Sequence, residues 1–324
     1  MLRHIAALKW VSLQSKANSR DRQIRRKLSD DPIRPFADDR EERAEGGYGP
    51  PVEEIAVGDR RVIELGEPTV GGSKNNARFG RVGQERAVVK IQGTYGRLRE
   101  EEQALRFLAE QGVCVPRVVD SGATESGGWL LAISREEGAP SLTADGWARC
   151  GHDFAGLLDV PIQACPFPRV TTADFVVDHR ERLDLVRFLL SDDVVHAISS
   201  AIGQIAGTSR LVVTHGDPGG GNYLDNPAGR GVLLDWETAS VSPLGLDLGR
   251  AAFIGLLDLW QTGIPEKLSS AFIHGYTSRS ATAGQLHGDL AHAWTIIGGL
   301  QFIHSRYTQP LMPERNPQEE AAPH

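Results

Sequence analysis

The chain is poor in cysteine. Three occur in 324 residues, Cys114, Cys150 and Cys165, and their spacing fits neither a zinc site nor a disulfide framework. They are expected to be ordinary thiols in a reducing compartment, which makes a cytoplasmic location the expectation. No apolar run reaches the roughly 18 residues a spanning helix needs, so no membrane partner is expected. An excess of basic charge is also lacking. Lys and Arg number 35 against 42 Asp and Glu, a net charge of −7. That argues against a general nucleic-acid binder, whose footprint is a basic face. There is no internal repeat, and nothing in the sequence sets an oligomeric state.

Both ends are short of apolar residues. Residues 1–52 mix basic and acidic side chains, from Arg20 to Arg26 and from Asp38 to Glu45, and close on the turn formers Glu45 to Pro51. Such a composition buries too little surface to offset the entropy of ordering, so a flexible extension is expected. Met1 to Leu13 is not expected to act as a signal peptide, because His4 and Lys9 interrupt its apolar part and no small-residue cleavage site follows. Residues 309–324 are polar and proline-rich and are expected to fray.

Between the ends, the patterning falls into two parts. Val62 to Leu65, Arg86 to Ile91, Val118-Val119 and Trp129 to Ile133 are short β-rich runs bounded by turn residues. Among them, Arg97 to Gln111 predicts one helix, with Leu98, Ala104, Leu105 and Leu108 as its apolar stripe and Gly112 as its stop. Beyond Gly138 the pattern turns helical over Leu142 to Leu158, Asp178 to Ile205, Leu246 to Trp260, Ile264 to Tyr276 and His287 to Tyr307. Two β runs interrupt it, at Leu211 to Thr214 and Gly231 to Leu234. The prediction is an α+β chain of two lobes. Residues 53–134 form a small strand-rich lobe and 135–308 a larger, mainly helical one, with a cleft between them suited to a ligand.

The sharpest chemical signal is His215-Gly216-Asp217-Pro218-Gly219-Gly220-Gly221-Asn222, followed by Asp235-Trp236-Glu237. Asp217 enters a glycine-rich loop straight after a short strand, which lets its carboxylate project into a cleft. Asn222 offers a neutral oxygen and Asp235, at the end of the next strand, a charged one. Such oxygens suit a hard cation such as Mg²⁺. The second carboxylate, Asp217, is left to orient or deprotonate an attacking hydroxyl, and these are the parts phosphoryl transfer requires.

Those motifs resemble the aminoglycoside phosphotransferase and choline kinase family, relatives of the protein kinases. Its catalytic loop reads His-Gly-Asp, four variable residues, Asn, and its metal-binding step reads Asp-Trp-Glu or similar. The match runs from about Gly66 to Tyr307. The resemblance implies a protein-kinase-like two-lobe fold and a small-molecule kinase that uses ATP or GTP with Mg²⁺ and phosphorylates a small-molecule hydroxyl acceptor. It implies a role for each matching residue. Asp217 is the catalytic base or orienting group, and Asn222 and Asp235 hold the metal. Lys90, in the strand Ala87 to Ile91, contacts the phosphates, with Glu101 as its ion-pair partner. Ser73, in the irregular loop Val70 to Asn76, is a phosphate donor. Ser134 to Glu136 meet the adenine edge through the backbone, and Asp247 braces the catalytic loop. His215 and Glu237 are structural or substrate support.

The chain departs from the family where Leu-His-Pro-Gly often stands between the catalytic Asp and the Asn. Pro218-Gly219-Gly220-Gly221 puts no side chain there that could reach a transferring phosphate. Residues 141–310 hold 17 Asp or Glu and 11 Lys or Arg, and Lys267 is their one lysine. That balance leans towards a cationic acceptor such as an aminoglycoside or another basic antibiotic. Choline, amino-alcohol and sugar acceptors are alternatives, as is a non-catalytic nucleotide-binding relative, which would lack a Lys, Asp or Asn that this chain keeps.

Overall fold

The computed structural model describes residues 53–57, 61–68, 77–92, 97–124, 127–208, 210–226, 231–257 and 263–308. The extension 1–52, the loop that carries Ser73 and the tail 309–324 lie outside them.

Short runs rich in apolar and β-branched residues build the first sheet. Its strands are β1 (Glu53–Val57), β2 (Arg61–Pro68), β3 (Arg78–Val82), β4 (Glu85–Gln92), β5 (Val118–Ala123) and β6 (Trp129–Ser134). They lie in the order β1-β2-β3-β4-β6-β5 with every pairing antiparallel. The two-residue period sorts the sheet's faces. Ala87 and Val89 of β4 join Leu130 and Ala132 of β6, with Ile63 and Leu65, in one small cluster. Val88 of β4 and Leu131 and Ile133 of β6 face the other way, towards helix α1 (Leu98–Glu110), whose Leu98, Leu105 and Leu108 belong to the main core. Lys90 has the same parity as Val88, so it too points to the helix side of the sheet.

The chain then becomes helical, as its patterning predicts. After β7 (Ala139–Pro140) come α2 (Ala144–Ala155), α3 (Thr172–Val186) and α4 (Asp192–Ala206). Four short strands follow: β8 (Leu211–Thr214), β9 (Tyr223–Asp225), β10 (Gly231–Leu233) and β11 (Ser240–Pro243). Helices α5 (Leu246–Leu257), α6 (Pro265–Ser278), α7 (Ala281–Gly284) and α8 (Gly288–Thr308) complete the described residues. Local chemistry fixes several starts. Thr143 caps α2 through the Gly146 N–H, Thr171 and Asp174 form a reciprocal capping box on α3, and Pro265 opens α6.

The large fully buried side chains Trp147, Phe154, Phe272, Tyr276 and Trp294 fill the helical part. Their cluster is continuous with Leu98, Leu105 and Leu131 of the sheet side. The small strands pair as β10-β9-β7 and β11-β8. Together they hold the segments 215–222 and 234–239 against the helices.

Candidate active site

Two loops and one strand make the site. Segment 215–222 links β8 to β9, and Asp235 follows β10. The two are tied by the backbone, because the Leu234 N–H donates to the Asn222 carbonyl at 2.9 Å.

His215 joins them a second time. Its Nε2 lies 2.6 Å from the Leu234 carbonyl, and its Nδ1 accepts from the Asp217 N–H at 3.2 Å. One nitrogen must therefore donate and the other accept, which is the neutral Nε2–H tautomer. Full burial agrees, since it pushes the His215 pKa down, and the ring packs 4.5 Å from that of Trp236.

Asp247, in the first turn of α5, is buried and takes the next two N–H groups of the loop. His215 N–H donates to Oδ2 at 2.8 Å and Gly216 N–H to Oδ1 at 2.9 Å. Burial pushes its carboxyl up, against the pull of His215 and the two N–H donors. Gly216 is needed where it stands. Its φ is +81°, and a Cβ there would lie 2.4 Å from the Thr238 carbonyl oxygen. Asn222 closes the loop by donating from Nδ2 to the Asp217 carbonyl at 2.8 Å, which leaves Oδ1 as the amide's remaining acceptor.

Lys90 reaches this assembly from the sheet. Its Nζ donates to Glu101 Oε1 at 2.7 Å and to Asp235 Oδ1 at 3.0 Å. Glu101 comes from the first turn of α1 and is fully buried. Burial alone would push Lys90 down, but the carboxylates of Glu101 and Asp235 outweigh it and hold the lysine above its ordinary value. The group is an ammonium braced between two anions. Asp235 sits at φ +63°, the one non-glycine residue with positive φ among those described. Such a conformation is held only where the surroundings over-determine it.

The expected site residues therefore separate. Lys90, Glu101 and Asp235 touch directly, and His215, Asp217, Asn222 and Asp247 form one hydrogen-bonded loop beside them. Glu237 lies partly buried in the turn after Trp236. Ser134 stands opposite Ala87 at the end of β6, three residues along β4 from Lys90. Its side chain is engaged by the Arg117 N–H and by Glu136, and its own N–H goes to the Arg117 carbonyl. Arg135 likewise gives its N–H to Arg86, so neither of those N–H groups remains for a base edge. Ser73 is outside the described residues. Among those described, no group of three or more His, Cys, Asp or Glu stands ready for a metal, and no helix is long and apolar enough to cross a membrane.

One residue in contact with the expected site was missed by sequence reasoning. Arg250 Nη2 lies 2.8 Å from Asp217 Oδ1. The available signal was its place one helical turn after Asp247.

A family model described as the phosphotransferase enzyme family matches residues 67–288. The chain belongs to that family. It is accordingly a phosphotransferase acting on small molecules. No curated protein sequence matches it.

Solved structures of the same fold include a macrolide 2′-phosphotransferase from Brachybacterium faecium. It is 18% identical, with a TM-score of 0.55 over 77% of this chain and 88% of that one. Another is an aminoglycoside phosphotransferase in ternary complex with ADP and hygromycin B, 14% identical, TM-score 0.52, covering 79% and 86%. A third is a choline/ethanolamine kinase family protein from Mesorhizobium loti, 22% identical, TM-score 0.50, covering 82% of each chain. The protein-kinase-like fold of this phosphotransferase is thereby the one its motifs implied.

Proposed function

We propose that this phosphotransferase is a kinase that moves the γ-phosphate of ATP or GTP to a hydroxyl of a cationic small molecule. The observation that carries the reading is the contact of Lys90 with both Glu101 and Asp235, with Asp217 and Asn222 on the adjoining loop. It sets a lysine fit for phosphates, two oxygens fit for a cation and a carboxylate fit for a hydroxyl in one place. A related fold solved with ADP and hygromycin B supports a nucleotide and a basic acceptor.

In this reading Lys90 grips the α- and β-phosphates and Glu101 keeps it extended. Ser73 donates to phosphate, and the backbone of Ser134 to Glu136 borders the base through groups not already bonded. Asp217 orients the acceptor hydroxyl and takes its proton. The donor set fits Mg²⁺. Asn222 Oδ1 and the Asp235 carboxylate are hard oxygens, and a magnesium ion takes its other ligands from water and phosphate, so no third protein carboxylate is required. When bound, the ion would neutralise charge on the phosphate oxygens. The acidity of residues 141–310 supports a cationic acceptor, because it lowers the cost of bringing a cation close. Aminoglycosides and other basic antibiotics fall in that class, and amino alcohols are its smallest members.

The test is acceptor-dependent release of ADP or GDP by the full chain, with MgATP and MgGTP, across aminoglycosides, macrolides, amino alcohols and neutral sugars. Release stimulated by basic compounds supports the proposal. Stimulation by neutral or anionic compounds alone removes the cationic acceptor and leaves the kinase.

A further inference from the structure

Helix α5 faces the catalytic loop with three side chains spaced as one helical stripe. Asp247 holds the N–H groups of His215 and Gly216. Arg250, one turn on, meets Asp217, with Nη2 at 2.8 Å from Oδ1. Ile254, a turn further, faces Gly219, whose missing Cβ would stand 3.8 Å from it. Positions i, i+3 and i+7 lie on one face of a helix, so a single rigid element follows the loop from 215 to 219.

The first of these contacts fixes the loop's backbone. Arg250 is different, because it holds the carboxylate itself. Among the described residues its guanidinium is the group paired with that side chain, and both partners are partly open, at 35% and 40% exposure. The pair thus borders the space where an acceptor would lie.

We infer that Arg250 is the positioning residue for Asp217, a role that rests on Asp217 being the group that receives the acceptor hydroxyl. A carboxylate has two equivalent oxygens and turns freely about its last bond, whereas a proton acceptor must present one oxygen along one line. Arg250 occupies Oδ1 and so assigns Oδ2 to the hydroxyl. In the transfer, the hydroxyl oxygen forms its bond to the γ-phosphorus and its proton passes to Asp217 Oδ2. The bond from phosphorus to the β–γ bridging oxygen breaks, and the nucleoside diphosphate leaves with that electron pair.

Phosphoryl transfer of this kind depends on alignment and charge more than on a strong base, so a carboxylate fixed by a guanidinium suits it. The arrangement also answers a gap in the loop. Pro218-Gly219-Gly220-Gly221 supplies no side chain to steady Asp217, and α5 supplies one from outside.

The experiment uses the full chain with MgATP, water serving as acceptor, alongside any acceptor the panel yields. Arg250→Met is expected to lower kcat by about 10-fold or more, because small misplacements of a reacting group are costly. The KM for ATP should stay within about 2-fold, and the melting temperature should hold, because partly exposed ion pairs contribute little to stability. Arg250→Lys should recover much of the loss, since an ammonium can still meet one oxygen. In an Asp217→Asn background, Arg250→Met should cost nothing more.

An unchanged kcat in Arg250→Met overturns the inference. So does an equal loss in the Asp217→Asn background, which would make Arg250 act independently of Asp217. Asp217→Asn with wild-type turnover would instead remove the wider reading of the site. A readout that needs no turnover is the ¹⁵N side-chain signal of Arg250, assigned by its disappearance in Arg250→Met. It should shift in Asp217→Asn, and an unmoved signal counts against the pairing.

Discussion

Lys90 and Glu101 form a buried pair whose loss would be felt twice. Glu101 is fully buried, and Lys90 is 8% exposed. Removing the lysine leaves a buried carboxylate without its cation, which costs about 3 kcal/mol or more. Lys90→Ala should therefore melt lower than the wild type. It should also lose catalytic efficiency for ATP while acceptor KM changes little, and normal efficiency for ATP in that variant would count against the assignment. This pair was legible in the sequence through the family resemblance, which places a lysine in such a strand and its acidic partner at the start of the next helix. Arg250 was not. Its partner lies on a distant segment, and an arginine on a helix is ordinary surface until the helix is placed. The same holds for Lys90 and Asp235, which only the folded chain brings together. His215 was legible as a residue but not as a staple, because its use of both ring nitrogens depends on where Leu234 arrives.

Helix boundaries show what patterning leaves out. The apolar pattern reads as helical from Asp178 to Ile205 without marking a break, and the structure has α3 ending at Val186 and α4 beginning at Asp192. The earlier start of α3 is set by the Thr171–Asp174 capping box, a polar signal that apolar periodicity does not register. Ser191 takes an extended conformation before α4, whose first turn carries Asp192 and Asp193. Strands β9 and β11 are no shorter than β10 and β8, which the sequence does announce, but Tyr-Leu-Asp and Ser-Val-Ser-Pro lack the continuous apolar run that marks those two.

Two helix contacts carry predictions. In α6, a Cβ on Gly275 would lie 1.9 Å from the Ala148 carbonyl of α2, so the backbones touch. Gly275→Ala should force them apart and cost about 2 kcal/mol or more in denaturant unfolding, and unchanged stability would refute the close crossing. Between α3 and α8, His179 stacks on Phe175, bonds its carbonyl and meets Gln301. Asp178 and Arg182 on α3 and His304 on α8 are the charged or titratable groups around it. Burial pushes its pKa down to about 4. The unfolded histidine takes its proton near 6.5, so between there and about 4 the unfolded state binds more protons. Stability is full above that window and falls as pH drops through it, by roughly 3 kcal/mol at most. The melting temperature of the wild type should decline between pH 6.5 and 4 more steeply than that of His179→Gln. Parallel curves would show that the buried imidazole is not the cause.

The division into a strand-rich part and a helical part was legible because short β-rich runs bounded by turn residues give way near Gly138 to longer helical patterns. The continuity of the core across that division was not, because it depends on α1 packing against both. For the molecule as a whole, the acidity of residues 141–310 should act on a cationic acceptor through a field that salt screens. Acceptor KM should rise a few-fold between about 0.05 and 0.5 M salt while kcat holds, and a salt-independent KM would mark the charge as unrelated to binding. The reading of the site as one for phosphoryl transfer stands most directly on Asp217. Asp217→Asn keeps the size of the side chain and its backbone bonds but removes the proton acceptor. With MgATP and the best acceptor, turnover should fall by about 10³-fold or more, with nucleotide affinity and melting temperature close to wild type. Turnover near the wild-type rate would contradict the proposed mechanism at its core.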